Sequence, residues 1–303
     1  MFVIARRLLS SRPALIAACL YALFPADSTR IMLTHAAHVQ GAMTFLLLAT
    51  WLWLHGRWRR AASYPVSLLS LLSFEPCFLP FLAVPLLEIS DKQQTIRRWT
   101  SHAAGCGSIL GALLWVRVAT ADSRVAEAAA NPGVMLYRAA TSLVMGPATS
   151  AGLFVTGTLS GLAHLDLVAM AIAGIMLLSF MAAWRISPSE GSTPQAPAAL
   201  PWWWVGGAAL VMWSVSYALS LADHYPPTQT LERTSATHTP AAWPACLAVA
   251  ALVHGACSSR KIPPRLSKPR LGSGSSRLSV IPNISSADIS TLGTSNRTSG
   301  IRS

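Results

Sequence analysis

The feature that most constrains this chain is a series of apolar runs, each close to the length that crosses the hydrocarbon core of a membrane. Residues 103–119 and 201–222 are two examples. A run of about 20 apolar residues spans lipid as a helix, because lipid offers the backbone groups no other hydrogen-bond partner. Only 11% of the residues are charged, well below the share of an ordinary soluble domain. We therefore predict an all-α fold, a polytopic transmembrane helical bundle.

The basic residues predict how this bundle is oriented. Most of the 23 Lys and Arg residues lie between the apolar runs, and they give a net charge of +12. Basic loops mark the cytoplasmic side of a membrane protein. The Lys and Arg residues of this chain do not form a patch interleaved with aromatic residues on a soluble module, and this argues against a nucleic-acid partner. The groups that mark the inner side are Arg6, Arg7 and Arg12, then Arg57, Arg59 and Arg60, then Lys92, Arg97 and Arg98.

The order of the runs predicts about eight membrane segments within a multi-pass domain of residues 1–259. Full crossings are expected at residues 12–25, 39–54, 103–119, 167–184, 202–222 and 241–257. Residues 64–89 begin and end beside basic flanks, yet this stretch is too short for two full crossings. We predict a pair of short helices broken near Glu75 and Pro76, because proline disfavours helix in the residue before it.

Two regions are expected not to cross. Residues 120–136 read as an outer loop, and residues 137–158 are placed flat at the outer interface because Gly146-Pro147 interrupts their apolar pattern. Residues 260–303 are rich in Ser, Pro and Arg and contain no aromatic residue. Such a composition cannot bury enough apolar surface to fold. We predict a disordered, basic, cytoplasmic tail.

Candidate site residues come from polar side chains at membrane depth or on the outer face, since no common catalytic motif is present. Glu75 is the sharpest of them, because a carboxylate inside an apolar stretch is costly and indicates a partner, a cavity or a site. Glu75 and Asp27 are the catalytic candidates. Arg30, His38 and Arg233 are candidates for binding a donor phosphate. Solvated loops and a plain ion pair are the alternatives.

Four segments carry a resemblance to a known family. They are FVIARRLLSSRPAL at residues 2–15, YALFP at 21–25, QGAMTF at 40–45 and LLSFEPCFLP at 71–80. Together they resemble the GT-C superfamily of multi-pass glycosyltransferases, which includes protein O-mannosyltransferases and aminoarabinose transferases. The resemblance implies transfer of a sugar from a polyprenyl-phosphate donor on the outer or luminal face. Arg233 looks similar to the basic position that precedes a late helix in some members.

The sequence departs from the family pattern at its catalytic part. Members carry an acidic motif in a large outer loop after their first helix, whereas this chain resembles the family from the second helix onward. The N-terminal catalytic portion is therefore expected to be lacking. Gln40 stands where relatives often have an acidic residue, and Phe74 stands where they have Lys. A general-base transfer needs a carboxylate, so the assignment of a base stays open.

Two further functions remain as alternatives. One is a non-catalytic membrane scaffold or assembly partner, which would bind another membrane protein. The other is a transporter, in which Glu75 beside a broken helix would be a substrate site at the membrane midplane. No cofactor is indicated, and a divalent metal is left open. Membrane lipid is the expected partner in every case, and a bacterial inner membrane is favoured over the endoplasmic reticulum.

Overall fold

The computed structural model describes residues 1–24, 33–88, 92–163, 166–186, 200–218 and 238–259. Within these ranges the chain is helical and contains no strand, which confirms the all-α prediction. Five of the described helices are long and apolar enough to cross a membrane, as a multi-pass membrane protein requires. These candidate spans are Ala37–Leu54, Lys92–Ala119, Pro132–Ala163, Leu167–Ile186 and Thr239–Ser258. The finer prediction of about eight segments stays a prediction.

The helices follow one another with short connections. In chain order they are α1 (Phe2–Leu8), α2 (Ser11–Ala22), α3 (Leu33–Leu54), α4 (Arg57–Ser73), α5 (Leu79–Leu82), α6 (Lys92–Ala119), α7 (Ser123–Ala130), α8 (Pro132–Ala163), α9 (Leu167–Ile186), α10 (Trp202–Val215) and α11 (Thr239–Ser259). Two 3-10 turns, Glu75–Phe78 and Val84–Leu87, flank α5.

A short helix precedes the first predicted crossing. Helix α1, which contains the inner-side markers Arg6 and Arg7, packs against α2. Ile4, Ala5 and Leu8 are buried in the core, whereas Arg6 and Arg7 are exposed. The positions of these three buried residues are those of a helix with one apolar face. Helix α1 therefore adds its apolar face to the core beside α2.

Helices α3 and α4 form the centre of the bundle. They are joined at Gly56, whose φ of +66° lies in the left-handed region that glycine adopts without steric cost. Met43, Leu46 and Trp53 of α3 pack with Leu71 of α4, and all four are nearly inaccessible to solvent. The turn at Gly56 makes the two helices antiparallel neighbours.

The chain between α4 and α6 confirms the predicted break near Glu75 and Pro76. Helix α4 ends at Ser73, and Phe74 is extended with φ −157° and ψ 105°. The chain then returns through the two 3-10 turns and α5, rather than through a regular helix. Phe78 and Phe81 are fully buried in this segment. Irregular backbone is tolerated at membrane depth where protein covers it.

Residues 74–88, which we name the return segment, allow the two ends of the bundle to be distinguished. The Glu75 end is the one where Glu75, the end of α4 and the end of α6 meet, and the Glu88 end is the one where Glu88 and the start of α4 meet. Helix α10 begins at the Glu88 end, since the Trp204 indole Nε1 donates to the Leu86 carbonyl oxygen at 2.7 Å. Gly255 of α11 lies against Trp202, so α11 ends at the Glu88 end.

Helix α2 runs in the opposite direction to α11. Phe24, just beyond its end, packs with Ala242 and Cys246 near the start of α11. The start of α2 therefore lies at the Glu88 end. There the Arg12 guanidinium lies 5.3 Å from the centre of the Trp184 ring of α9. Helix α9 consequently ends at the Glu88 end as well.

Helix α8 corrects two expectations. It is continuous through Gly146 and Pro147, so the predicted interruption is wrong, and α7 with the first turns of α8 replaces the loop expected at residues 120–136. Proline inside a helix is tolerated where neighbouring helices support the backbone. The ring of Tyr217 packs directly on Gly146, where a Cβ would clash with it. Glycine here serves close packing rather than helix termination.

Candidate functional site

Glu75 is positioned by the break that its neighbour creates. Pro76 disfavours a helical conformation in the preceding residue, so α4 stops and Glu75 opens the first 3-10 turn. The backbone N–H of Phe74 still donates to the Ser70 carbonyl oxygen at 2.9 Å, which closes the last turn of α4. The Glu75 side chain is 34% exposed. It therefore lies at the end of a helix and is accessible from outside the bundle.

Arg117 is the partner that the Glu75 carboxylate requires. It comes from the last turn of α6 and donates a direct hydrogen bond to Glu75 Oε1. The Arg117 Nε also lies 3.8 Å from Asp122 Oδ2, just beyond the end of α6. Arg117 and Asp122 are less exposed than Glu75, at 19% and 17%. The Glu75 end thus holds one guanidinium between two carboxylates, with a formal excess of negative charge.

His38 lies next to this ion pair through the ring of Phe74. The two ring centres are 6.2 Å apart with the rings edge to face, and the His38 side chain is exposed. His38 belongs to the first turns of α3, so three separate parts of the chain meet here. Two of the sequence candidates, His38 and Glu75, are brought to one end of the bundle. Asp27, Arg30 and Arg233 lie outside the described residues.

Arg117 was missed by the sequence reasoning. It stands near the end of an apolar run that was treated as a plain crossing. A guanidinium within such a run is as costly as a carboxylate and should have been paired with Glu75 on that ground. The signal was present in the residue types, but only the fold shows that the end of α6 meets the end of α4.

A second polar pair at the Glu75 end was also missed. Tyr217 and His238 are both fully buried, and the Tyr217 hydroxyl and His238 Nδ1 are 2.8 Å apart. They join the end of α10 to the residue before α11. Close to them, the Trp213 indole donates to the Ser150 hydroxyl at 2.9 Å, which connects α10 to α8. These bonds join the end of α10 to the start of α11 and to the middle of α8, and the four side chains are buried or partly buried.

The Glu88 end has the opposite balance of charge. Arg60 donates two hydrogen bonds to the Glu88 carboxylate, at 2.9 Å and 3.0 Å, and Arg98 donates a third at 3.3 Å. This group ties α4 and α6 to the end of the return segment. The side chains are 18% to 30% exposed. Two guanidiniums share one carboxylate, so a formal positive charge remains.

A buried aromatic cluster lies beneath the Arg60–Glu88 pair. The Trp53 ring is 4.6 Å from the Arg60 guanidinium and 4.4 Å from the His102 ring. His102 Nε2 is 3.0 Å from the Phe81 carbonyl oxygen, which only accepts, so Nε2 carries the proton. His102 Nδ1 then accepts from the Tyr64 hydroxyl at 3.4 Å. This network joins α3, α4, α5 and α6 and reads as structural.

One apolar cavity of about 160 Å³ lies between α2, α8, α10 and α11. Leu20, Phe24, Phe154, Trp213 and Val249 are among the residues that line it. Within the described part of the chain, no group of three or more His, Cys, Asp or Glu side chains is arranged to hold a metal ion.

Comparisons of this chain with protein-family models, curated proteins and solved structures gave no match. The similarity to the GT-C superfamily therefore rests on the four sequence segments alone. The geometry brings two of the sequence candidates, Glu75 and His38, to one end of the bundle.

Proposed function

We propose that this chain is a divergent GT-C-like membrane glycosyltransferase, which transfers a sugar from a polyprenyl-phosphate donor at the Glu75 end. The observation that carries the proposal is the meeting of Glu75, Arg117 and His38 at one accessible end of the bundle. In such a transfer, the hydroxyl oxygen of the acceptor bonds to the anomeric carbon of the sugar. Glu75 accepts the proton that this hydroxyl loses. The sugar–phosphate bond breaks, and the polyprenyl phosphate leaves with the bonding electrons.

Arg117 is the residue that we assign to the leaving phosphate. A guanidinium has five N–H donors and suits phosphate oxygens. Its contact with Glu75 means that the donor phosphate would compete with that carboxylate for Arg117, and the competition would free Glu75 to act as a base. His38, at the rim of the same end, is a second candidate for the phosphate.

The described residues that flank the other candidates in the chain lie at the same end. The described residues that flank 25–32 are Phe24 and Leu33, and those that flank 219–237 are Ala218 and His238. All four belong to helix ends at the Glu75 end. The described residues on either side of Asp27, Arg30 and Arg233 thus lie at the Glu75 end, which supports the assignment of these three candidates to one site.

The proposed orientation follows from the charges. The Glu88 end carries Arg59, Arg60, Lys92 and Arg98, so we assign it to the cytoplasm by the positive-inside rule. The tail that follows α11 would then be cytoplasmic, and the Glu75 end would face outward. We assign the chain to a bacterial inner membrane rather than the endoplasmic reticulum.

The flat placement proposed for residues 137–158 agrees with this orientation. Helix α6 ends at the Glu75 end, and α9 ends at the Glu88 end. If α9 crosses the membrane once, it begins at the Glu75 end. The segment between α6 and α9, which contains α7 and α8, therefore begins and ends on that side. Membrane-depth labelling of cysteines placed along α8 tests this, since a crossing helix would show labels at both surfaces.

A non-catalytic scaffold is the second candidate. The observation that favours it is the direct contact of Arg117 with Glu75, which gives the carboxylate a structural partner. The transporter hypothesis, in which Glu75 beside a broken helix is a substrate site at the membrane midplane, stays a third alternative.

A charge exchange separates these candidates. We expect Glu75→Gln to reduce sugar transfer from a labelled polyprenyl-phosphate donor in membranes by about a hundredfold, the usual share of a general base. The double variant Glu75→Arg with Arg117→Glu keeps an ion pair but moves the carboxylate. If the pair is catalytic, this variant stays inactive. Asp122→Asn is introduced into both the variant and its reference, because Asp122 would otherwise lie beside the relocated carboxylate, and the two proteins should then melt alike in detergent.

The matched control is Glu88→Gln, which removes a paired carboxylate at the opposite end. Transfer per folded molecule should be unchanged in this variant. Full recovery of transfer in the charge exchange would assign Glu75 a structural role. Absence of transfer by the wild type from several sugar donors would favour the scaffold.

A further inference from the structure

A cluster of aromatic and basic side chains lies at the turn between α3 and α4. The Arg59 guanidinium is 5.7 Å from the centre of the Trp51 ring and 5.8 Å from that of Trp58. The His55 ring is 4.3 Å from Trp51, and its Nδ1 donates to the Trp51 carbonyl oxygen at 2.7 Å. Two indoles hold the guanidinium through cation–π attraction, so its position is fixed by aromatic rings rather than by a carboxylate.

The neighbouring carboxylate is already used. Glu88 is bound by Arg60 and Arg98, which leaves it no strong site for a third guanidinium. Among the described side chains, Arg59 forms no ion pair. An arginine that is held in place and has all its N–H donors available is suited to an anion from outside the protein.

The position of Trp58 indicates the source of that anion. Trp58 is 71% exposed, and it lies in the first turn of α4, just after the turn that follows the candidate membrane span of α3. Tryptophan rings concentrate at the level of lipid headgroups, where one edge of the indole is in hydrocarbon and the other reaches water. Arg59, next in the chain, is therefore at the depth of the lipid phosphates.

We propose that Trp51, Trp58 and Arg59 form a binding site for the phosphate of an anionic phospholipid. The guanidinium donates to two phosphate oxygens, and the indoles cover the glycerol region beside it. The Arg59 charge itself favours a headgroup with net negative charge over a zwitterionic one, because the cation of a zwitterionic headgroup already neutralises its phosphate. Lys92, Arg97 and Arg98 at the same end add a diffuse positive potential at low salt. The site is separate from the Glu75 end, so it does not depend on the proposed sugar transfer.

The test is native mass spectrometry of the purified chain with phosphatidylglycerol or phosphatidylcholine, paired with lipid-binding measurements in nanodiscs. Measurements at about 1 M salt reduce the screening length to about 3 Å and remove the diffuse attraction of the basic end. Under these conditions the wild type should retain phosphatidylglycerol in preference to phosphatidylcholine. Arg59→Gln should lower the affinity for phosphatidylglycerol at least about tenfold, because glutamine offers a neutral hydrogen bond in place of the two charge-assisted ones.

The matched control is Lys92→Gln, which removes one exposed charge at the same end without touching the indoles. Its effect at high salt should stay within about twofold, because a diffuse charge is screened. Arg59→Lys should behave like Arg59→Gln, since an ammonium lacks the planar fork. Melting temperatures in detergent report folding of each variant.

Three outcomes would overturn the site. One is an equal loss for Lys92→Gln and Arg59→Gln, which would show attraction to the whole basic end. Another is the absence of any preference for the anionic lipid. The third is displacement of the lipid by excess inorganic phosphate, which would identify a site for free anions.

Discussion

The Glu75 end and the Glu88 end each hold a glutamate against an arginine of α6, yet the two arrangements differ in charge and in support. At the Glu88 end two arginines share one carboxylate above the buried ring of Trp53. At the Glu75 end one arginine lies between two carboxylates, and the ring contact beside it joins the exposed His38 to the partly buried Phe74. One end is built to hold helices together, whereas the other is accessible.

This difference shows why a glutamate in an apolar stretch does not by itself identify a site. Both carboxylates are costly at the edge of hydrocarbon, and both are neutralised by arginine. What separates them is exposure, 34% for Glu75 against 18% for Glu88. Only a carboxylate that an acceptor can approach is able to take its proton.

The largest expected effect concerns the aromatic support of each end. Trp53→Ala should lower the free energy of unfolding by about 4 kcal/mol, because it opens a cavity beneath Arg60, His102 and Phe81. Phe74 is the corresponding aromatic residue at the Glu75 end and is only partly buried. Phe74→Ala should therefore lower the free energy of unfolding by only about 1 kcal/mol. Denaturant titration in mixed detergent micelles, followed by circular dichroism, measures both. Equal losses would remove the proposed difference in support.

The next effect is the removal of the shared carboxylate. Glu88→Gln should cost about 2 kcal/mol, since Arg60 and Arg98 are left without their common counter-charge in a partly buried place. Lys92→Gln, which changes an exposed charge nearby, serves as the control and should change stability by less than about 0.5 kcal/mol. A Glu88→Gln variant as stable as the wild type would show that water neutralises both arginines.

The smallest effect is expected at the Glu75 end. Glu75→Gln should cost about 1 kcal/mol, because Asp122 remains within 3.8 Å of Arg117 and partly replaces the lost carboxylate. Adding Asp122→Asn should then cost more than Asp122→Asn does alone, as a double-mutant cycle reveals. Strict additivity of the two changes would mean that Arg117 does not couple them.

Sequence reasoning placed the regular parts of the fold well. The expected crossings at residues 167–184 and 241–257 correspond to α9 and α11, and the predicted break near Glu75 and Pro76 is where α4 ends. These features are local, because run length and proline stereochemistry act within a few residues. The same reasoning was wrong at Pro147, where packing of Tyr217 on Gly146 accompanies an unbroken helix.

The same distinction between local and long-range features applies to the residues of the candidate site. Glu75 could be chosen from the sequence, since its cost in an apolar stretch depends only on its neighbours along the chain. Arg117 could not be assigned to it, because 42 residues and a full helix separate them. Their pairing depends on how far the return segment carries the chain before α6 begins.

The amino-acid sequence by itself determined that this chain is helical, that its apolar runs suit a membrane, and that its positive charges collect between those runs. The reason is that each property follows from residue type over a short stretch. Only the tertiary structure decided which charges meet, because residues distant in the chain become neighbours when helices pack. Three contacts follow from that packing. Two arginines share Glu88, Arg117 pairs with Glu75, and two indoles hold Arg59.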